Sequence, residues 1–283
     1  MGNSIGILQV TEKDVIRTLS PNETMNRTDH DFPVEYWVAG RSAIDAIRTC
    51  LVSAHKSGSE IQHILDFPCG HGRVLRYLKA AFPHAELTAC DLLRDGVDFC
   101  SSVFGAIPVY SDEDVAEIPL GENGYDLIWV GSLLTHLDSD RWEAFLIKLA
   151  SCLRDGGVVV FTTHGASVYK RMKGVEDFYN CGLPYWRITK VLYRYEQAGF
   201  GYADYLGAHG YGFSISAPQW VLSTISRHRD LRCVLYADRG WHNLQDVYAC
   251  VKSTKPVKTE IATPLTTYVK HLLREVWKPK PTS

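Results

Sequence analysis

Apolar residues recur along the chain at two spacings. One set lies on a single face of a helix and consists of Val38, Ile44, Ile47 and Leu51. This spacing predicts an amphipathic helix over 39–56. Beyond residue 60, short apolar runs alternate with amphipathic stretches. These runs predict strands at 61–67, 86–91, 107–110, 125–131 and 157–163, and the stretches between them predict helices at 72–81, 95–104 and 140–153.

Strands that alternate with helices form a parallel sheet with helices on both faces and right-handed crossovers. The alternation stops between residues 165 and 217, where dense aromatic residues predict a cap packed on the sheet. A helix should follow, with Ser216 as its N-cap and Pro218 in its first turn. Two strands around a turn are predicted over 231–252, and a short helix over 265–276.

The same pattern predicts the domain organisation. Residues 1–58 form an amino-terminal arm and a covering helix, residues 59–252 form the α/β core, and residues 253–283 form a tail. The cap is an insertion into the core at about 165–217.

Composition narrows the classes of function. The 283 residues are 46% hydrophobic and 22% charged, as in ordinary globular proteins, and the net charge of -2 lacks the basic excess typical of nucleic-acid binding. The apolar runs are too short to span a bilayer and no secretory signal is recognised, so we expect a cytoplasmic protein. Eight cysteines without a C-x-x-C pair indicate neither a metal site nor a disulfide framework.

The stretch "DFPCGHGR" after the first predicted strand has the form of a ligand-binding glycine loop. Gly70 and Gly72 allow close backbone approach, whereas Pro68 and Leu75 stand where a pyrophosphate-binding loop needs glycine. Asp91 ends the second strand, where an acid can accept hydrogen bonds from the hydroxyls of a ribose. The sequence therefore favours an adenosine-like ligand without a phosphate bridge, and S-adenosylmethionine fits that description.

Four stretches extend this pattern in order along the chain: "ILDFPCGHGRVLRYL", "LTACD", "YDLIWVGSLLTHL" and "LRDGGVVVFTTHG". Over residues 61–252 the chain resembles the class I S-adenosylmethionine-dependent methyltransferases, with Pro68 at the first glycine of their D-x-G-x-G-x-G motif. The resemblance implies a Rossmann-like, mostly parallel sheet of seven strands in the order 3-2-1-4-5-7-6, with an antiparallel last strand. It also implies S-adenosylmethionine as cofactor and S-adenosylhomocysteine as product.

The resemblance assigns cofactor contacts to the ends of the first four strands and to the covering helix. The implied residues are Tyr36, Trp37, Gly40 and Arg41, then Asp66, Phe67, Pro68, Cys69, Gly70 and Gly72, then Asp91 and Leu92, then Ser111 with Asp112 or Asp114, and finally Val130, Gly131 and Ser132.

Acceptor chemistry is expected at the same edge of the sheet. His136 and His164 follow the fourth and fifth strands and are candidate general bases. Four aromatic residues of the cap are candidate acceptor contacts: Tyr169, Trp186, Tyr205 and Tyr211. The acid charge balance and the "GSLLTHL" segment favour an oxygen or nitrogen atom of a small molecule or saccharide over a nucleic acid. Alternatives are a non-catalytic adenosyl-ligand-binding module and an NAD(P)-dependent oxidoreductase.

Overall fold

A computed structural model describes residues 10–23, 25, 33–174 and 180–253. The helix predicted over 265–276 lies outside these residues. No helix in the described ranges is long and apolar enough to cross a membrane.

The predicted amphipathic helix is present as α1, Pro33–Ser53, which starts six residues earlier than its pattern indicated. Ile44, Ile47 and Leu51 are buried against the sheet, as predicted. Val38 was assigned to the same face but is 44% exposed.

The main sheet has seven strands in the order β3-β2-β1-β4-β5-β9-β8. Their bounds are β1 His63–Asp66, β2 Glu86–Asp91, β3 Ile107–Tyr110, β4 Tyr125–Val130, β5 Leu153–Thr163, β8 Leu231–Trp241 and β9 Gln245–Lys252. The first five strands are parallel, and β9 runs antiparallel to both of its neighbours. The predicted order is confirmed, because β6 and β7 form a separate sheet and β8 and β9 take the last two places.

Helices cover the sheet on both faces. They are α2 Leu75–Ala81, α3 Arg94–Phe104, α4 Ser139–Cys152 and α7 Pro218–Ser226. Helix α2 begins three residues later than predicted, because Gly70 and Gly72 have positive φ angles of 50° and 80°. The predicted N-cap of α7 was wrong: Ser216 ends a strand, so Ala217 caps the helix and Pro218 occupies its first turn.

Between β5 and α7 the chain forms a smaller layer, which we call the cap elements. It contains α5 Ala166–Met172, α6 Tyr185–Ala198 and the antiparallel pair β6 Phe200–Asp204 and β7 Gly212–Ser216. These elements have their own buried cluster, which includes Val168, Val191, Phe213 and Ile215. Strand β7 also bonds to the core, since the amides of Gly212 and Ser214 donate to the carbonyls of His136 (2.9 Å) and Thr135 (2.8 Å). The cap is thereby fixed above the carboxyl ends of β4 and β5.

Candidate active site

The glycine loop connects β1 to α2 and is tightly packed. Gly72 has a positive φ angle, and a Cβ atom there would lie 2.4 Å from the Phe104 ring. Gly96 in α3 packs against the carbonyl of Gly70, where a Cβ atom would approach to 2.5 Å. The close helix contact that a dinucleotide loop makes through a third glycine is therefore made by Gly96, which the sequence analysis missed because it lies on another element.

Asp91 connects the second strand to this loop. Its Oδ2 accepts a hydrogen bond from the Gly70 amide (2.7 Å), and its Oδ1 accepts one from the Leu93 amide (2.9 Å). Each carboxylate oxygen has a second lone pair, so the group can still accept a bond from a ligand. Asp91 consequently both shapes the loop and presents an acid beside it.

Asp66 and Arg73 place a carboxyl group and a guanidinium at the two ends of the loop. Asp66 is 1% exposed, and its Oδ2 has no hydrogen-bond partner among the described residues. Burial and then the charge of Asp91 raise the pKa of Asp66 well above its usual range. The Arg73 guanidinium lies 5.4 Å from the centre of the Trp241 ring and has no hydrogen bond to any described residue. Burial lowers its pKa, while the nearby acids Glu23 and Asp66 raise it.

The amino-terminal segment closes over this end of the site. Tyr36 is buried, donates to Glu23 Oε2 (3.0 Å) and accepts from Arg76 (3.1 Å). Gly40 packs against the backbone of Arg73, where a Cβ atom would lie 2.5 Å from the carbonyl oxygen. Arg41, in contrast, is exposed and pairs with Glu12.

The remaining predicted residue of α1, Trp37, packs under the guanidinium of Arg17 at 4.2 Å. Of the four candidates on this helix, Gly40 packs on Arg73, Tyr36 and Trp37 both lie against the Arg76 guanidinium of α2, and Arg41 contacts the amino-terminal segment through its pair with Glu12.

A hydrogen-bond network fixes the end of β4. The Ser132 amide donates to Thr162 Oγ1 (2.9 Å), and Gln245 Nε2 donates to Ser132 Oγ (2.9 Å). Thr162 Oγ1 in turn donates to Gln245 Oε1 (2.6 Å). Ser132 has a positive φ angle of 63°, and these bonds stabilise that conformation. The sequence analysis missed Thr162 and Gln245, because they lie on strands far from Ser132 in the sequence.

Val130 and Gly131, which precede Ser132, are held by packing. Val130 is fully buried, and Gly131 packs between two tryptophan rings, where a Cβ atom would lie 2.9 Å from Trp129 Nε1. Gly131 is therefore needed for the close packing of Trp129 and Trp241.

The remaining cofactor candidates lie near the loop or at the surface. Phe67 and Cys69 are buried in the core, a cis peptide joins Phe67 to Pro68, and Leu92 is 58% exposed. The Ser111 amide donates to the Asp91 carbonyl (2.9 Å), which brings the β3 end beside Asp91.

The turn after β3 contains both alternatives for the adenine contact. Asp112 Oδ1 accepts from the Asp114 amide (2.9 Å), and Asp114 Oδ1 accepts from the Ala116 amide (3.0 Å). Both acids stabilise turns, so the choice between them stays open.

A cavity of about 280 Å³ extends from the loop to the cap. Its lining residues include Ala39, Arg73, Ser132, Trp241, His242 and Gln245 from the core, and His136, His164, Asn180, Cys181, Tyr205, Phe213 and Leu244 toward the cap. The two predicted histidines therefore lie on one cavity with Arg73 and Ser132. Within the described ranges, no group of three or more side chains is suited to hold a metal ion.

The four predicted cap aromatics divide into two pairs. Tyr205 lines the cavity, and Tyr211 stacks on the His136 ring with 4.9 Å between ring centres. Tyr169 instead donates to Glu196 (2.6 Å), and Trp186 is 59% exposed and packs against Arg187. Neither Tyr169 nor Trp186 lines the cavity.

Comparison with known proteins supports a single assignment. A family model described as a methyltransferase domain matches residues 64–157. A fatty-acid O-methyltransferase of Mycolicibacterium smegmatis is 29% identical over 111 residues, 39% of this chain and 40% of that protein. A malonyl-acyl-carrier-protein O-methyltransferase of Hahella chejuensis is 28% identical over 114 residues, 40% of each chain. The matches thus span about 40% of the length of these curated relatives.

Two solved structures share the fold. An S-adenosylmethionine-dependent methyltransferase of Clostridium acetobutylicum has a TM-score of 0.50 at 17% identity, covering 82% of this chain and 96% of that one. The PH0226 protein of Pyrococcus horikoshii has a TM-score of 0.51 at 10% identity, covering 75% of this chain and 91% of that one. Residues 64–157 therefore match a methyltransferase domain, and the strand order and these two structures show the Rossmann-like fold of the class I S-adenosylmethionine-dependent methyltransferases.

Proposed function

We propose that this protein transfers a methyl group from S-adenosylmethionine to an oxygen or nitrogen atom of a small-molecule or saccharide acceptor. The observation that carries the proposal is the pairing of Asp66 and Arg73 beside the glycine loop. An unpartnered buried carboxylate oxygen and a guanidinium without hydrogen bonds are complementary to an ammonium and a carboxylate. The amino-acid end of S-adenosylmethionine carries both of these groups.

The residues at this end fit the cofactor. Asp66 would hold its ammonium group, Arg73 its carboxylate and Asp91 its ribose hydroxyls. When bound, the cofactor supplies a methyl group on a sulfonium centre, which needs a correctly aligned acceptor more than further activation. The protein's task is then to position the acceptor in the adjoining cavity and to accept a proton if the acceptor must lose one.

The curated relatives support oxygen as the attacked atom, since both are named as O-methyltransferases. His136 and His164 lie on the cavity and are the candidate proton acceptors. The isoelectric point near 6.6 supports a small acceptor over a nucleic acid.

The first test is calorimetric titration with S-adenosylmethionine, S-adenosylhomocysteine and NADH. Binding of the two adenosyl sulfur compounds alone is expected. Asp91→Ala should weaken this binding by about 1–3 kcal/mol, because a charge-assisted hydrogen bond is lost. Asp91 also holds the Gly70 and Leu93 amides, so thermal unfolding of the variant must be measured in parallel.

Asp45→Asn, an exposed change on the outer face of α1, is the matched control and should leave binding unchanged. Binding of NADH, or undiminished S-adenosylmethionine affinity in Asp91→Ala, would contradict the proposed cofactor placement.

A further inference from the structure

The ring of His136 is held in one orientation. Its Nδ1 lies 2.8 Å from the carbonyl oxygen of Gly212. A carbonyl oxygen can only accept a hydrogen bond, so Nδ1 carries the proton and donates it. In the neutral ring, Nε2 is then the nitrogen with the lone pair, and it acts as an acceptor.

His164, directly after the neighbouring strand β5, has the same arrangement. Its Nδ1 lies 3.2 Å from the carbonyl oxygen of Ser214, and its ring stacks on Phe213 with 4.6 Å between ring centres. Burial lowers the pKa of both histidines, that of His164 to about 3, so both rings are neutral at pH 7. Both carbonyls that fix these rings belong to β7 of the cap.

The backbone around His136 prevents its ring from turning over easily. The Gly212 amide donates to the His136 carbonyl (2.9 Å), so residues 136 and 212 are bonded through main chain and side chain. Tyr211 stacks on one face of the ring. Reversing the ring would replace Nδ1 by the Cδ2 carbon opposite the Gly212 carbonyl and break the hydrogen bond. Moving the proton to Nε2 would place two acceptors against each other, which is unfavourable for a buried group.

The positively charged residue of the cavity interacts with groups other than the two histidines. Arg73 is the only arginine or lysine among the described lining residues. Its electrostatic partners are Tyr36, Glu23 and Asp66. His136 is influenced by burial and the Gly212 carbonyl, and His164 by burial, His136 and the Ser214 carbonyl. The cap side of the cavity therefore offers uncharged acceptors of hydrogen bonds rather than a cation.

Aromatic and apolar groups surround these acceptors. Phe213 is 1% exposed, Tyr205 lies with its hydroxyl 3.3 Å from His136 Nδ1, and Leu244 contacts the same cluster. Flat rings of this kind bind another flat ring through stacking and burial of apolar surface. A carboxylate would instead lose its hydration while facing the lone pair of Nε2.

We propose, on the basis of the methyltransferase function proposed above, that the acceptor is a phenol whose hydroxyl donates to Nε2 of His136. As the hydroxyl oxygen bonds to the methyl carbon, the methyl–sulfur bond breaks and its electron pair stays on sulfur. The hydroxyl proton passes to Nε2 of His136, and the product is an aryl methyl ether. His136 is thus both the group that selects a hydroxyl and the base that receives its proton.

The test uses two probes of matched size, 4-methylphenol and 4-methylbenzoate, titrated into the protein saturated with S-adenosylhomocysteine at pH 7. The phenol should bind at least about tenfold more tightly, since only the phenol satisfies the lone pair of Nε2. His136→Phe should abolish this preference, because phenylalanine keeps the stacking on Tyr211 but has no acceptor nitrogen. His228→Phe should retain it, because His228 pairs with Glu143 of α4 and does not line the cavity.

Nitrogen-15 NMR of the histidine rings provides a second measurement on the unaltered protein. His136 should carry its proton on Nδ1 at pH 7. A proton on Nε2, a charged ring, or binding of 4-methylbenzoate as tightly as 4-methylphenol would overturn the proposal, as would failure of 4-methylphenol to bind. Failure of the wild type to bind S-adenosylhomocysteine would instead contradict the methyltransferase function itself, so the two failures are distinguishable.

Discussion

The loop end and the cap end of the site are built from contacts of very different range. At the loop end, Gly70 and Asp91 are separated by 21 residues, and Arg76 bonds to Gly72 within one turn of chain. At the cap end, His136 bonds to a residue 76 positions away, and Thr162 bonds to one 83 positions away. The glycine loop and Asp91 can be predicted from a short stretch of sequence. The bonds of Arg76 to Ile16 and Thr18, and the whole cap end, exist only once distant segments have come together.

Substitution of Arg76 should disrupt the loop end, and we expect it to have the largest effect on the free energy of unfolding. This arginine is fully buried and donates to five groups: the carbonyls of Gly72, His71, Ile16 and Thr18, and the hydroxyl of Tyr36. Arg76→Met should lower the free energy of unfolding by about 3–4 kcal/mol, because several buried acceptors lose their donor. Urea unfolding measures the loss.

The same change should also release the amino-terminal segment, since Ile16 and Thr18 are held through Arg76. Limited proteolysis should then cleave near residues 10–23 faster than in the wild type. Arg227→Met is the control: Arg227 is half-exposed and pairs with Glu143, so its loss should cost less than about 1 kcal/mol. Equal effects of the two changes would show that Arg76 does not hold the segment.

His164 provides the corresponding test of the cap end through pH. Its folded pKa of about 3 lies below the ordinary value of 6.5, so folding favours the neutral ring. The contribution to stability is present above pH 6.5 and is lost as the pH falls toward 3. Between pH 6.5 and about 4.5 the loss should reach about 2–3 kcal/mol, since one pKa unit corresponds to about 1.4 kcal/mol.

Titration of Asp246 changes stability in the opposite direction between pH 3.8 and about 6. Burial raises its pKa to about 6, so its stabilising contribution is present below pH 3.8 and is lost as the pH rises through 6. A comparison of wild type with His164→Phe removes this overlap, because Asp246 is present in both proteins. The wild type should lose stability more steeply on acidification than the variant, and parallel curves would mean that His164 titrates normally.

The difference in contact range also explains what could be predicted from the sequence. The bounds of β2 and β3 were predicted to the residue. The strand order was implied by the family resemblance that the motifs carry, and it is confirmed. The sequence analysis did not identify Thr162 or Gln245, because their roles depend on β4, β5 and β9 lying side by side. Arg73 was missed for another reason: it directly follows Gly72, but only its burial without a hydrogen-bond partner among the described residues marks it as a candidate ligand contact.

Substitutions of the cap aromatics should have the smallest effects, and they compare two residues of the same cap. Composition singled out Tyr205 and Trp186 equally, yet Tyr205 lines the cavity and Trp186 is exposed on α6. For an acceptor that takes up radiolabelled methyl, Tyr205→Phe should raise the acceptor KM about fivefold, the value of one net hydrogen bond of about 1 kcal/mol. S-adenosylmethionine affinity should not change, because Tyr205 belongs to the cap side. Trp186→Ala should change neither quantity by more than about twofold, as expected for a surface residue away from the site. If Trp186→Ala had the larger effect on KM, the acceptor would bind across the outer face of α6, and the cavity between loop and cap would not be the acceptor site.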